Sequence, residues 1–171
     1  MTGSALTPAA VWAALEDVED PEIPVVSVVE LGMVRAVEIE RTTGRDSAGE
    51  RVRVDITPTF AGCPAFHAIS EAVAARVRAL GAAEVEVRRV LSPAWSSDDM
   101  TDTARAKLEA FGLAPPARHD GLLLPALEAP VACPRCGSLD TALRNAFGSA
   151  LCREIYTCRS CGEPFERFKP L

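Results

Sequence analysis

The sequence has no apolar run that approaches the roughly 20 residues needed to span a bilayer, so we expect no membrane-spanning helix. It has no excess of positive charge either, and a formal net charge of −6 argues against a large phosphate-binding surface. Residues 1–8 lack a basic stretch followed by an apolar core, so we expect no secretory signal and a cytoplasmic protein. With 48% hydrophobic and 25% charged residues, the composition is that of a globular protein.

Cysteine is almost absent before residue 132, where Cys63 stands alone. The other five lie close together near the C-terminus: Cys133, Cys136, Cys152, Cys158 and Cys161. A proline-rich stretch precedes them, and proline at that density disfavours a regular helix or a central strand. We therefore predict a first domain over 1–113, a Pro-rich linker over 114–131 and a C-terminal domain over 132–171. The apolar patch at 122–124 predicts that the linker docks on the protein.

The first domain alternates helical and strand patterns. Three helices are predicted from apolar residues at helical spacing. The first begins after a Thr7 cap, the second after Pro64 and the third after a Ser97 cap. Period-two alternation marks strands around 37–39, 52–56 and 85–87, with a loop or hairpin turn predicted over 42–50. The order predicts an α+β fold, a small sheet with helices packed on one face.

The C-terminal domain carries two Cys-x-x-Cys-Gly turns, at 133–137 and 158–162. Each turn presents two thiolates to one cation, and two turns complete a tetrahedral four-sulfur site. A domain this small cannot bury enough apolar surface alone, and bound metal can supply the missing folding free energy. We predict structural zinc on four ligands: Cys133, Cys136, Cys158 and Cys161. Spacing alone leaves rubredoxin-like iron or an iron–sulfur cluster open, whereas disulfides are disfavoured in a cytoplasmic protein.

Two further features of this domain have ordinary explanations. Cys152 is expected to be a small buried residue rather than a fifth ligand. Four aromatic residues could stack on nucleic-acid bases, but we expect them to form the hydrophobic core of the domain instead: Phe147, Tyr156, Phe165 and Phe168. We therefore predict no nucleic-acid partner.

Cys63 lies between a predicted strand and a predicted helix. Pro64 suits the first helical position, which would make Cys63 the N-cap and would stabilise its thiolate through free amides and the helix dipole. The alternative is a buried structural cysteine at a tight turn, and position alone does not decide between them. His67 follows one helical turn later as a potential base or ligand, although most such histidines are simply partly exposed. Acidic residues around Asp20 and Glu22 are interpreted by default as a solvated helix end and a turn.

Two segments, Asp20-Pro-Glu-Ile-Pro-Val-Val-Ser-Val-Val-Glu-Leu-Gly-Met-Val34 and Thr57-Pro-Thr-Phe-Ala-Gly-Cys-Pro64, resemble the iron–sulfur cluster assembly domain family. With the helix start after Trp95 and the C-terminal ribbon, the whole chain is similar to the accessory proteins of bacterial phenylacetyl-CoA epoxidase systems. The resemblance implies a small α+β domain followed by a zinc ribbon. It implies Cys63 as the reactive cysteine, with Asp20 and Glu22 as the acidic motif.

The resemblance also implies a function. It implies an accessory protein without catalysis of its own, which helps to supply iron or an iron–sulfur cluster to the oxygenase or its reductase. One alternative is a thiol enzyme with Cys63 as nucleophile and His67 as base, for which no third orienting residue can be named. Another is a zinc-ribbon docking subunit without a cluster role. A catalytic di-iron subunit is disfavoured because no Glu-x-x-His motif occurs. Whether the protein forms a homodimer is left open.

Overall fold

The computed structural model describes residues 6–44 and 47–171. Its chain forms two compact units, Met1–Ala94 and Trp95–Leu171. The first unit therefore ends at Ala94, whereas the sequence predicted a domain over 1–113. Among the described residues, no helix is both long and apolar enough to cross a membrane.

The first unit contains two helices and five strands. In chain order these are α1 (Pro8–Leu15), β1 (Glu19–Asp20), β2 (Ile23–Ser27), β3 (Val34–Gly44), β4 (Ser47–Ile56), α2 (Phe66–Ala79) and β5 (Glu84–Arg89). As predicted, Thr7 caps α1, and its side chain accepts a hydrogen bond from the Ala10 amide at 3.2 Å. Helix α2 is followed by Gly81, whose φ of 100° is the left-handed conformation that suits glycine after a helix.

The main sheet of this unit has the order β3-β4-β5, antiparallel between β3 and β4 and parallel between β4 and β5. Along β4, Val52, Val54 and Ile56 are fully buried, as the alternating pattern predicted. Charged side chains form pairs between neighbouring strands, and Arg88 of β5 donates two hydrogen bonds to the Asp55 carboxylate of β4. The turn predicted over 42–50 narrows to the connection between Gly44 and Ser47, and residues 45–46 lie outside the described residues. The predicted α+β fold is confirmed.

The second unit comprises a short helical part and a four-stranded sheet. Its elements are a 3-10 turn (Ser97–Asp99), α3 (Asp102–Phe111), β6 (Leu113–Ala114), α4 (Leu123–Glu128), β7 (Thr141–Asn145), β8 (Arg153–Cys158) and β9 (Pro164–Phe168). The sheet has the order β6-β9-β8-β7. Strand β6, which follows α3 directly, pairs in parallel with β9 through Leu113 and Ala114.

Three expectations for this region are corrected. Ser97 is not a helix cap, because Ser96 caps the 3-10 turn and Thr101 caps α3. Proline does not prevent a helix between 114 and 131, because a six-residue α4 forms there. The leucines expected to dock are exposed, with 69% of Leu122 and 76% of Leu124 accessible to solvent.

A buried ion pair links the sheet to this segment. The Arg167 side chain is 2% exposed, and its guanidinium donates to Glu154 Oε1 at 3.2 Å and to the Ala126 carbonyl at 2.8 Å. Tyr156 Oη lies 3.4 Å away as a third partner. Arg167 therefore connects β8 and α4 through groups that are themselves withdrawn from water.

Candidate metal centre and reactive thiol

The two Cys-x-x-Cys turns of the second unit have the same backbone geometry. In the first, the Gly137 amide donates to the Cys133 carbonyl at 2.8 Å, and in the second, the Gly162 amide donates to the Cys158 carbonyl at 3.0 Å. Both glycines are left-handed, with φ of 72° and 77°. Because this conformation strains residues with a Cβ, glycine after the second cysteine is a requirement of the turn.

The four cysteines predicted as metal ligands come together. Their sulfur atoms all lie within 4.8 Å of one another, with Cys133 Sγ 3.8 Å from Cys161 Sγ and Cys136 Sγ 3.6 Å from Cys158 Sγ. Tetrahedral zinc with Zn–S bonds of about 2.3 Å requires sulfurs about 3.8 Å apart. The donor set and its spacing therefore fit zinc. They do not fit disulfides, and all six cysteines are free.

The protein environment already favours thiolate at one ligand. The pKa of Cys158 is lowered to about 7, chiefly because the backbone amide of Cys161, and next that of Ser160, donate to its sulfur. Cys133 and Cys158 are buried in an apolar cluster with Tyr156 and Phe165. All four candidate ligands come from the protein, which suits a structural rather than a catalytic metal.

Cys63 lies in the first unit, in a turn between β4 and α2. Its amide donates to the Phe60 carbonyl at 3.0 Å. The prediction that Cys63 caps the helix is wrong, because α2 begins at Phe66 and Ala65 occupies the N-cap position. Pro64 belongs to the turn and not to the helix, so its preference for a first helical position is not used here.

The acidic motif of β1 and β2 acts on this thiol. Asp20 Oδ1 accepts hydrogen bonds from the amides of Glu22 at 2.8 Å and Ile23 at 3.0 Å, which closes the turn between the two strands. Burial raises the pKa of the Cys63 thiol, and the Asp20 and Glu22 carboxylates raise it further. The amides of Ala65 and Phe66 donate to the sulfur and lower the pKa, but they do not compensate. Of the two alternatives, the raised pKa favours a half-buried structural cysteine over a stabilised thiolate.

The His67 side chain pairs with an acidic residue on its own helix. Its side chain is 85% exposed, and its Nε2 lies 3.5 Å from Glu71 Oε1, one helical turn further along α2. Thr57, for which the sequence predicts no separate role, follows β4 and is 1% exposed. Among the described residues, its hydroxyl oxygen has no hydrogen-bond partner. The sequence indicated Thr57 only through its position in the Thr57–Pro64 segment, which carries the family resemblance.

We expect alkylation of Cys63 by iodoacetamide at pH 7.5 to be slower than that of free cysteine. The reason is that a raised pKa leaves little thiolate at this pH. Asp20→Asn combined with Glu22→Gln should accelerate the reaction and move its pH profile to lower pH, because both substitutions remove negative charge. Mass spectrometry of the Cys63 peptide across pH 7–10 measures this.

The control for this experiment is Glu71→Gln, which removes a charge of the same sign from the exposed surface of α2 and should leave the profile unchanged. Asn at position 20 keeps an oxygen acceptor for the two turn amides. An unchanged profile in the double variant would contradict the electrostatic explanation.

Two family models match this chain, one within each unit. Residues 8–88 match the family model described as iron-sulfur cluster assembly protein, and residues 119–169 match the model described as PaaD zinc beta ribbon domain. A solved structure, a conserved hypothetical protein from Thermotoga maritima, is 28% identical, with a TM-score of 0.50, over 63% of this chain and 98% of its own. The predicted assembly-type fold and zinc ribbon are confirmed.

A curated relative covers nearly the whole chain. It is a putative 1,2-phenylacetyl-CoA epoxidase subunit of Escherichia coli (strain K12), which is 41% identical over 159 residues. The alignment covers 93% of this chain and 90% of the relative, so it includes the Cys63 loop and most of the ribbon. This chain belongs to the PaaD family of 1,2-phenylacetyl-CoA epoxidase subunits.

Proposed function

We propose that this protein is a cytoplasmic accessory factor of a phenylacetyl-CoA epoxidase, and that it assists assembly of iron or an iron–sulfur cluster in the oxygenase or its reductase. The observation that carries the proposal is the combination of two domains in one chain. An assembly-type domain precedes a zinc ribbon, and the relative that shares this arrangement at 41% identity is named as an epoxidase subunit. In this proposal the protein catalyses no reaction of its own.

The Cys63 loop is the proposed transfer site. Clusters are usually held by four thiolates, so one cysteine holds iron or a cluster only together with ligands from a second protein. Because burial raises the pKa of Cys63, protons compete with metal for its thiolate at neutral pH, which lowers the apparent affinity. Cys63 is therefore suited to transient holding and release of cargo, with Asp20 and Glu22 as the neighbouring carboxylates.

In this proposal the ribbon has a separate role. Zinc on the four cysteines holds the second unit in one conformation, and the ribbon is the module that docks on the client.

The Thr57 hydroxyl, which has no partner within the described part of the chain, supports a ligand role for the loop before Cys63. The reason is that a buried polar group without a protein partner is costly to retain.

Two alternatives rank lower. A thiol enzyme would need a base, and the exposure of His67 together with its Glu71 contact does not support that role. A docking subunit without a cluster role also fits a Cys63 thiol whose pKa is raised by burial and by the Asp20 and Glu22 carboxylates.

Reconstitution of the epoxidase tests the proposal. Oxygenase and reductase produced without this protein would be incubated anaerobically with ferrous iron and sulfide, with or without it, and their iron and sulfide content and epoxidase turnover measured. Wild type should increase all three, and Cys63→Ala should fall to the level without the protein. The matched control is Cys152→Ala, which removes a buried thiol from the second unit.

The two candidate functions give different results in this assay. Equal stimulation by wild type and Cys63→Ala would contradict cluster transfer and leave the docking subunit as the better description. No stimulation by wild type, with correctly folded and zinc-loaded protein, would contradict the accessory role as a whole.

A further inference from the structure

The connection between β7 and β8 exposes large apolar side chains. Phe147 is 65% exposed and Leu151 is 55% exposed. The aromatic composition of the ribbon predicts Phe147 in its core together with Tyr156, Phe165 and Phe168. Those three are at most 9% exposed, so the expectation is wrong for Phe147 alone. An aromatic side chain left in water at the end of a hairpin is a feature that folding of the ribbon does not explain.

This connection is held in place by polar contacts. The Glu166 carboxylate accepts from the Ser149 amide at 2.6 Å and from the Ser149 hydroxyl at 3.0 Å, and it pairs with Arg153 at 3.0 Å. Gly148 packs so closely that a Cβ would lie 2.6 Å from Glu166 Oε1 and 2.9 Å from Arg153 Cβ. Phe147 is therefore presented from an ordered loop, which lowers the entropy cost of binding through it.

A lysine lies beside Phe147, and an exposed arginine precedes it on β7. Lys169 Nζ lies 5.2 Å from the centre of the Phe147 ring and donates to the Leu151 carbonyl at 2.9 Å. Arg144 is exposed and donates to Thr157 Oγ1 at 3.2 Å. Within the described part of the chain, neither cation has a carboxylate partner, and Arg153 offsets the charge of Glu166. We call Phe147, Leu151, Lys169 and Arg144 together the β7–β8 tip.

We propose that the β7–β8 tip is the surface with which this protein docks on an acidic partner protein, Phe147 entering an apolar pocket whose rim carries carboxylates opposite Lys169 and Arg144. The proposal rests on the proposed function, which makes the epoxidase subunits the partner to test. Aromatic and arginine side chains that fill a pocket of the partner provide much of the binding energy of protein interfaces. Two cations on a chain of net charge −6 are too few to favour a polyanion such as DNA or an anionic membrane.

Titration calorimetry of the full-length, zinc-loaded protein against the purified oxygenase–reductase assembly tests this surface. Phe147→Ala should weaken binding roughly tenfold or more, as expected for removal of an anchoring aromatic. Lys169→Gln, which can still donate to the Leu151 carbonyl, should weaken it less and reduce its dependence on salt. Leu124→Ala is the matched control, since it truncates a side chain that is 76% exposed on α4 and should leave the affinity unchanged. Zinc content and thermal unfolding verify that each variant folds.

The outcomes separate the docking surface from the function. If wild type binds and Phe147→Ala binds equally well, the proposed surface is wrong while the accessory role stands. If wild type stimulates cluster assembly without measurable binding, docking through the tip is also wrong. If wild type neither binds nor stimulates, the proposed function fails and the partner assignment fails with it. Phe147-dependent binding to anionic phosphatidylserine vesicles or to single-stranded DNA, in the absence of binding to the protein assembly, would overturn the choice of a protein partner.

Discussion

Cys158→Ser is expected to abolish zinc binding and to unfold the ribbon. Cys158 is fully buried in the apolar cluster that also contains Cys133, so loss of the metal affects the core and not only a surface turn. Structural zinc contributes about 10 kcal/mol or more of apparent folding free energy in small domains, which exceeds what a sheet of this size gains from its apolar core. Zinc content, near-ultraviolet circular dichroism and hydrogen exchange of β7, β8 and β9 measure the effect.

The control variant for this prediction is Cys152→Ala. Cys152 precedes the first residue of β8, whereas Cys158 is the last residue of that strand, so the two lie at opposite ends of it. Cys152→Ala should therefore retain zinc, with a modest loss of stability. Stoichiometric zinc and unchanged exchange in Cys158→Ser would show that the four-cysteine site does not hold the ribbon together.

Glu154→Leu is expected to destabilise the second unit by about 3–5 kcal/mol, because it leaves the buried Arg167 guanidinium without its carboxylate. The double variant Glu154→Leu/Arg167→Met should recover most of that loss, since it leaves no uncompensated charge in the interior. Urea denaturation of the zinc-loaded protein, followed by the signals of this unit, gives the two free energies of unfolding.

A surface pair provides the comparison for this result. Glu163→Leu removes the partner of Arg135, but both side chains are substantially exposed, and we expect a change of at most about 1 kcal/mol. A double variant as unstable as Glu154→Leu would contradict the explanation through buried charge. It would indicate that the hydrogen bond from Arg167 to the Ala126 carbonyl carries the stability instead.

The sequence was sufficient where a local pattern has one structural solution. The two Cys-x-x-Cys-Gly turns predicted the four cysteines that cluster in the structure, because glycine and thiol spacing leave little choice of backbone. Alternation along β4 correctly predicted the burial of Val52, Val54 and Ile56. The Thr7 cap followed by proline determined where α1 begins.

It was insufficient where neighbouring residues compete or where distant segments meet. Ser96, Ser97 and Thr101 are all acceptable helix caps. In the structure Ser96 caps the 3-10 turn and Thr101 caps α3. The raised pKa of Cys63 depends first on burial and then on a carboxylate motif some forty positions earlier in the chain, and local helix-capping rules include neither. Exposure of Phe147 depends on the contacts of Glu166 with its loop, and aromatic composition alone predicts burial.

Strand β6 determines where the ribbon can be joined to another protein without losing part of its sheet. Its Ala114 belongs to the same apolar cluster as Cys133 and Cys158, yet it precedes the residues matched as a zinc ribbon, 119–169. A gene fusion joined at residue 119 would discard one edge of the sheet and part of the cluster behind the metal. A fusion joined at the Ala94–Trp95 boundary would transfer the second unit intact. The segment that must be transferred to keep the ribbon intact is therefore longer than the segment that contains its cysteines.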